Sequence, residues 1–210
     1  MLTLEQIRGV YDAIYSLGHN CLPGVQMTRS GLRRNAGPID WMGSPALSGV
    51  TRALHDRFAH FMKLSNLSVV GIDPNAGCYL VKDLAYGIVS NHDFPVGTGT
   101  ADPLLPYPAF SAKMKRRTDR MLDDMQTKDR LLFIRAEGTY PELFELSLTL
   151  QAMVRGEFRI LFVQHGPVSA VTPMGWHIPH VCALQIPLCA DPFHDNDSHW
   201  RALLAGITHR

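Results

Sequence analysis

Two apolar runs, Leu131–Ile134 and Phe158–Val163, bracket a segment from Tyr140 to Arg155 whose apolar residues recur at helical spacing. Strand, helix and strand in that order predict a right-handed crossover joining two parallel strands, since antiparallel neighbours would need only a hairpin. The run His180–Leu188 adds a further strand, and Ser198–Ile207 reads as a closing helix. This interleaving predicts an α/β fold: a single domain over residues 1–210, with a mixed sheet covered by helices on both faces. A chain of 210 residues is long enough to bury one full core.

The N-terminal half carries less regular signals. Tyr11–Gly18 reads as a buried strand ending in a glycine turn, followed by a helix from Leu22 to Ser30 that stops at Gly31 and Leu32. Ser44-Pro45 starts a second helix by the cap-plus-proline signal, with Leu47, Val50, Leu54, Phe58 and Phe61 at helical spacing. Ser68 to Ser90 breaks into short β-rich pieces, the pattern of a meander. A loop rich in Gly, Pro and Thr spans Pro95–Pro108 and reads as a solvated connection. The next helix, Ala109–Gln126, has Phe110, Met114, Met121, Leu122 and Met125 on one side. Its other side holds Lys113, Lys115, Arg116, Arg117 and Arg120, which reads as a solvated face rather than a phosphate or carboxylate site.

Cys21 stands where the first strand and turn meet the first helix. Asn20 is a preferred N-cap, and Pro23 suits a first turn whose N–H groups lack intrahelical partners. A thiol there faces the positive end of the helix dipole, so its pKa is expected below the ordinary value of about 8.5. That is the setting of an activated nucleophile. His92 and Asp93 lie where a strand runs out into a loop, a position from which an imidazole can reach a nucleophile on another element. Asp40, beside Trp41, is a second carboxylate able to orient that imidazole or to cap a loop.

Composition excludes several classes. A net charge of +1 gives no bulk attraction to nucleic acid or to an anionic membrane, and no apolar run is long enough to span a bilayer. Cys21, Cys78, Cys182 and Cys189 are widely spread with no C-x-x-C pair, which argues against a zinc ribbon or disulfide scaffold. With no basic segment leading into an apolar one at the N-terminus, the expected location is a reducing cytoplasm. A competing site lies near the C-terminus, where His177, His180, His194, Asp195, Asp197 and His199 are ligand types for zinc, iron or manganese, although no H-E-x-x-H pair organises them. No cofactor is implied by the remaining motifs.

SLGHNC (Ser16–Cys21), GLRRNAGPIDW (Gly31–Trp41), HDF (His92–Phe94), KMKRR (Lys113–Arg117), LLFIR (Leu131–Arg135) and the late Trp200 together resemble a bacterial domain-of-unknown-function family described as papain-like cysteine peptidases. The resemblance runs from about Tyr11 to about Leu204, with Ile39 where the family has phenylalanine. It implies a Cys-His hydrolase or acyltransferase, with Cys21 as nucleophile and His92 as base, and it adds a papain-like α+β architecture as the alternative fold. The combined reading is attack by Cys21 on an amide, ester or thioester carbonyl of a peptide or other acyl substrate. Asp40 or Asp93 orients His92, and Asn20 with the Cys21 N–H holds the oxyanion. The alternatives are a metal-dependent hydrolase using the C-terminal cluster, and a peptide- or glycan-binding protein without turnover.

Overall fold

The computed structural model describes residues 1–97 and 102–210, so the centre of the Pro95–Pro108 loop lies outside the described residues. In chain order the elements are α1 (Leu4–Ile7), β1 (Gly9–Tyr11), β2 (Ala13–Ser16), α2 (Leu22–Arg29), β3 (Met42–Gly43), α3 (Leu47–His55), β4 (Leu67–Asp73), β5 (Cys78–Asp83) and β6 (Ile88–Ser90). Then follow α4 (Tyr107–Thr127), β7 (Arg130–Ala136), α5 (Tyr140–Met153), β8 (Glu157–Gly166), β9 (Thr172–Pro173), β10 (Val181–Pro187), α6 (Asp197–Leu204) and β11 (Ile207–His209).

The central sheet has the order β2-β7-β8-β10-β9. Its first three pairings are parallel and β9 runs antiparallel at the edge, so the sheet is mixed. β7 and β8 pair in parallel through the α5 crossover, and the α/β reading is the one the strands follow. Alternation along the strands sends side chains into two separate cores. Tyr15, Leu131, Phe133, Ile160 and Phe162 pack on the face covered by α3, α4 and α5. Ile14, Leu132, Ile134, Leu161 and Val163 pack on the opposite face with Ile7, Leu22, Met27 and Trp200 from α1, α2 and α6. A second, antiparallel sheet of order β3-β6-β5-β4 carries the expected meander.

Three local expectations are corrected. Ser44 does not cap α3: the helix begins at Leu47 after Ala46, because the Ser44 hydroxyl is taken by His19 N–H and Arg135. Phe58 and Phe61 are core residues but lie beyond the helix, which ends at His55 and turns through left-handed backbone at Arg57 and Phe58. The Ser198–Ile207 segment ends as a strand, since Ile207 begins β11, which pairs with β1.

What fastens the two halves is Arg135, the last but one residue of β7 and fully buried. Its guanidinium donates to Leu17 O at 2.9 Å, Ser44 Oγ at 2.7 Å, Ser44 O at 2.8 Å and Glu137 O at 2.9 Å. Burial pulls its pKa down, partly offset by Glu142 and Glu137. The planar fork reaches acceptors in three separate segments, which a lysine ammonium cannot do. Arg135→Lys should therefore cost about 2–4 kcal/mol, because it keeps the charge and leaves buried carbonyls unpaired. Urea unfolding checks this, and a loss below about 0.5 kcal/mol would show that charge alone is what the site needs.

Candidate active site

The turn that presents Cys21 is held from both sides. Gly18 has φ of 78°, and a Cβ there would sit 2.7 Å from Ser44 Oγ, so glycine is needed for both backbone and space. His19 follows at φ 95°, donating its N–H to Ser44 Oγ at 3.0 Å while its carbonyl accepts from Ser44 N at 2.8 Å. Asn20 Oδ1 accepts from Leu22 N at 2.9 Å. Cys21 itself occupies the N-cap of α2, one residue later than the sequence suggests, with Asn20 bracing the first turn.

His92 arrives from the other sheet, two residues after β6. Its Nε2 lies 3.2 Å from Cys21 Sγ, within the range for proton transfer between sulfur and imidazole. Its ring meets the Trp41 indole edge-on, with centroids 6.0 Å apart.

Neither predicted carboxylate touches the His92 ring. Asp40 is buried, and its Oδ2 accepts from Arg33 Nε at 2.8 Å and from Gly37 N at 2.9 Å. Burial pushes its carboxyl up, opposed by Arg33. Arg33 in turn lies over the Trp41 ring, 5.0 Å from its centroid. Asp40 thus reaches His92 only through Arg33 and Trp41. Asp93 accepts from Ser90 Oγ at 2.6 Å and is paired with Lys113 of α4, which ties the His92 loop to that helix. Both aspartates are loop anchors because a cation stands nearer to each than the imidazole does.

The basic side of α4 is solvated only in part: Lys115 and Arg116 are exposed, whereas Lys113, Arg117 and Arg120 are half-buried. Besides Lys113 on Asp93, Arg117 donates to Gly37 O at 3.5 Å and Arg120 to Ala36 O at 2.5 Å, while Lys115 pairs with Asp119 at 2.6 Å. Cations on one helix side thereby hold the loop that carries Asp40 and Trp41. No residue pattern announces the Arg117, Arg120, Ser44 and Arg135 contacts, whose partners are remote in the chain or are backbone carbonyls, whereas Arg33 and Asp40 pair only seven residues apart.

Electrostatics at the thiol also departs from expectation. Burial, with a smaller contribution from Asp73 at the end of β4, pushes the Cys21 thiol up to about 11. The helix terminus is present, but the sulfur is nearly covered, and desolvation favours the neutral thiol. The neutral thiol is therefore the favoured form at rest.

The C-terminal cluster disperses. His194 Nδ1 pairs with Asp191 at 2.8 Å, Asp197 accepts from Gln26 at 2.7 Å and pairs with Arg29, Asp195 caps Asp191 N at 2.9 Å, and His180 stacks on Phe158. Among the described residues no three His, Cys, Asp or Glu side chains form a group able to hold a metal. The described helices include none long and apolar enough to cross a membrane.

No curated protein and no solved structure matches the chain. A family model described as "Putative papain-like cysteine peptidase (DUF1796)" matches residues 12–167. That span holds Cys21, Asp40, His92 and Asp93 and ends before both the histidine-rich stretch and Trp200. Matched over most of its length, the chain belongs to this papain-like cysteine peptidase family.

Proposed function

We propose that the protein is a cysteine-dependent hydrolase, peptidase- or amidase-like, or an acyltransferase, acting through Cys21 and His92. The observation that carries this is the 3.2 Å approach of His92 Nε2 to Cys21 Sγ at the N-terminus of α2. Membership of the family supports a peptide substrate. Sγ attacks the acyl carbon while its proton passes to His92, forming the C–S bond and an oxyanion. The Cys21 N–H and the Asn20 amide NH₂ are the nearby donors for that oxygen, since Asn20 uses only its Oδ1 on Leu22. Collapse breaks the bond to the leaving group, which departs with the proton from His92. Water or a second nucleophile then cleaves the thioester. Asp40 and Asp93 act as positioning residues through Arg33–Trp41 and through Lys113.

Two measurements test this reading. With p-nitrophenyl acetate as a generic acyl donor, Cys21→Ala should abolish enzymatic turnover, and His92→Ala should lower it by about 10²–10⁴-fold. Turnover by Cys21→Ala at the wild-type rate would remove Cys21 from the reaction, and no turnover by the wild type above the uncatalysed rate would leave a binding protein as the better reading.

The second concerns pH. With the thiol pushed up to about 11, the thiolate fraction rises with pH throughout the neutral and mildly basic range. Iodoacetamide alkylation of Cys21 is therefore expected to be slow at pH 6 and to accelerate by about tenfold per unit towards pH 10. A rate already at its plateau by pH 7 would mean a standing thiolate and a dominant helix-terminus effect.

A further inference from the structure

β4 is an edge of the second sheet: in the order β3-β6-β5-β4 it has β5 on one side and, among the described residues, no strand on the other. An edge strand leaves alternate N–H and C=O groups without a ladder partner, which makes it a template for one more strand. Sheets commonly blunt such an edge with lysine, proline or an inward-pointing charge. The run from Leu64 to Ile72 contains none of these. Its β-branched side chains stand open to solvent: Val70 is 52% and Ile72 is 53% exposed, and Val69, Leu64 and Leu84 beside them are exposed as well. A bulge at Val70 adds twist but no charge. The opposite edge, β3, is only two residues long, and the N–H groups of Met42 and Ser44 are taken by Ile39 O and His19 O.

Charge is placed at the two ends of the β4 edge. Asp73 closes the strand at the turn, while Lys63 and Lys82 stand at the Leu67 end, Lys82 across the ladder from Ser68. The carboxylate at that end, Asp83, is fully buried and accepts from the N–H groups of Met62 and Ala85. The edge therefore presents an apolar middle between a negative end and a positive one.

Two such strands related by a two-fold axis run antiparallel, so the Asp73 end of each meets the lysine end of the other. Val69, Val70 and Ile72 then meet their counterparts across the axis, whereas a parallel approach would set like charges together. We propose that β4 is the edge on which a second copy of this chain docks, as an antiparallel β4–β4 pair that joins the two four-stranded sheets into one. The occupant is a copy of this chain rather than an unrelated peptide because the apolar middle and the opposed ends are self-complementary. A single strand pair is a small interface, so the dimer is weak and dissociates in the micromolar range. The pairing does not depend on the chemistry at Cys21.

Sedimentation equilibrium of the full chain over about 1–200 μM, with hydrogen exchange measured at both ends of that range, tests the pairing. The mean mass should rise from monomer towards dimer with concentration. Amides of Leu67–Asp73 should gain protection at the higher concentration, while those of Met42 and Gly43 on the other edge should not. Val70→Lys and Ile72→Lys, each at an exposed position, should raise the dissociation constant by at least about tenfold. The two are made separately, so that one decides the matter if the other does not fold. A monomer throughout the range overturns the proposal. So does a dimer equally strong in both lysine variants, which would put the contact on another surface, such as the exposed Tyr140 and Phe144 face of α5. Protection of β4 that appears only when an unrelated peptide is added would assign the edge to peptide recognition and overturn the dimer as well.

Discussion

The buried Arg135 guanidinium is the interaction on which the arrangement around Cys21 depends. Its hydrogens converge on Leu17 at the exit of β2, on Ser44 before α3 and on Glu137 beyond β7, three segments far apart in sequence. Ser44 then clamps His19 through both its hydroxyl and its backbone N–H, which fixes the strained turn that presents Cys21. An unpaired guanidinium in a core is costly, and here the carbonyl acceptors offset that cost because the chain must satisfy them anyway. Glu137, whose carbonyl is one Arg135 acceptor, also holds the His165 ring through its carboxylate.

A second consequence is a division of labour between charged groups. Asp40, Asp93, Arg33, Lys113, Arg117 and Arg120 form a set of contacts that fixes two loops, one ending at Trp41 and the other carrying His92. The Cys21–His92 pair itself contains no carboxylate partner. Its imidazole is placed by packing against Trp41 and by loop anchoring rather than by a third hydrogen-bonded acid. The burial that covers the Cys21 thiol also favours its protonated form.

The parallel crossover of β7, α5 and β8 was legible in the sequence because local periodicity and order specify it. The sequence pattern also placed Cys21 at a strand-to-helix turn and His92 at a strand end, where the fold has them. Their 3.2 Å approach required the fold, since they arrive from different sheets. Ser44 was misread as a helix cap because its side chain is claimed by Arg135, ninety-one residues away. The basic side of α4 is solvated at Lys115 and Arg116 as the pattern suggests, whereas Arg117 and Arg120 reach Gly37 O and Ala36 O, backbone atoms that no residue pattern announces. β11 escaped notice since three residues gain strand structure only by pairing with β1 at the opposite end of the chain.

The central claim is that Cys21 forms a covalent acyl intermediate with the help of His92. Intact-mass and peptide-mapping mass spectrometry after brief acid quench from an activated acyl ester tests it most directly. The account predicts one acyl group, on the peptide containing Cys21, at full occupancy in the wild type and much reduced in His92→Ala. Acylation confined to the half-exposed Cys189, or none on any cysteine, would contradict it.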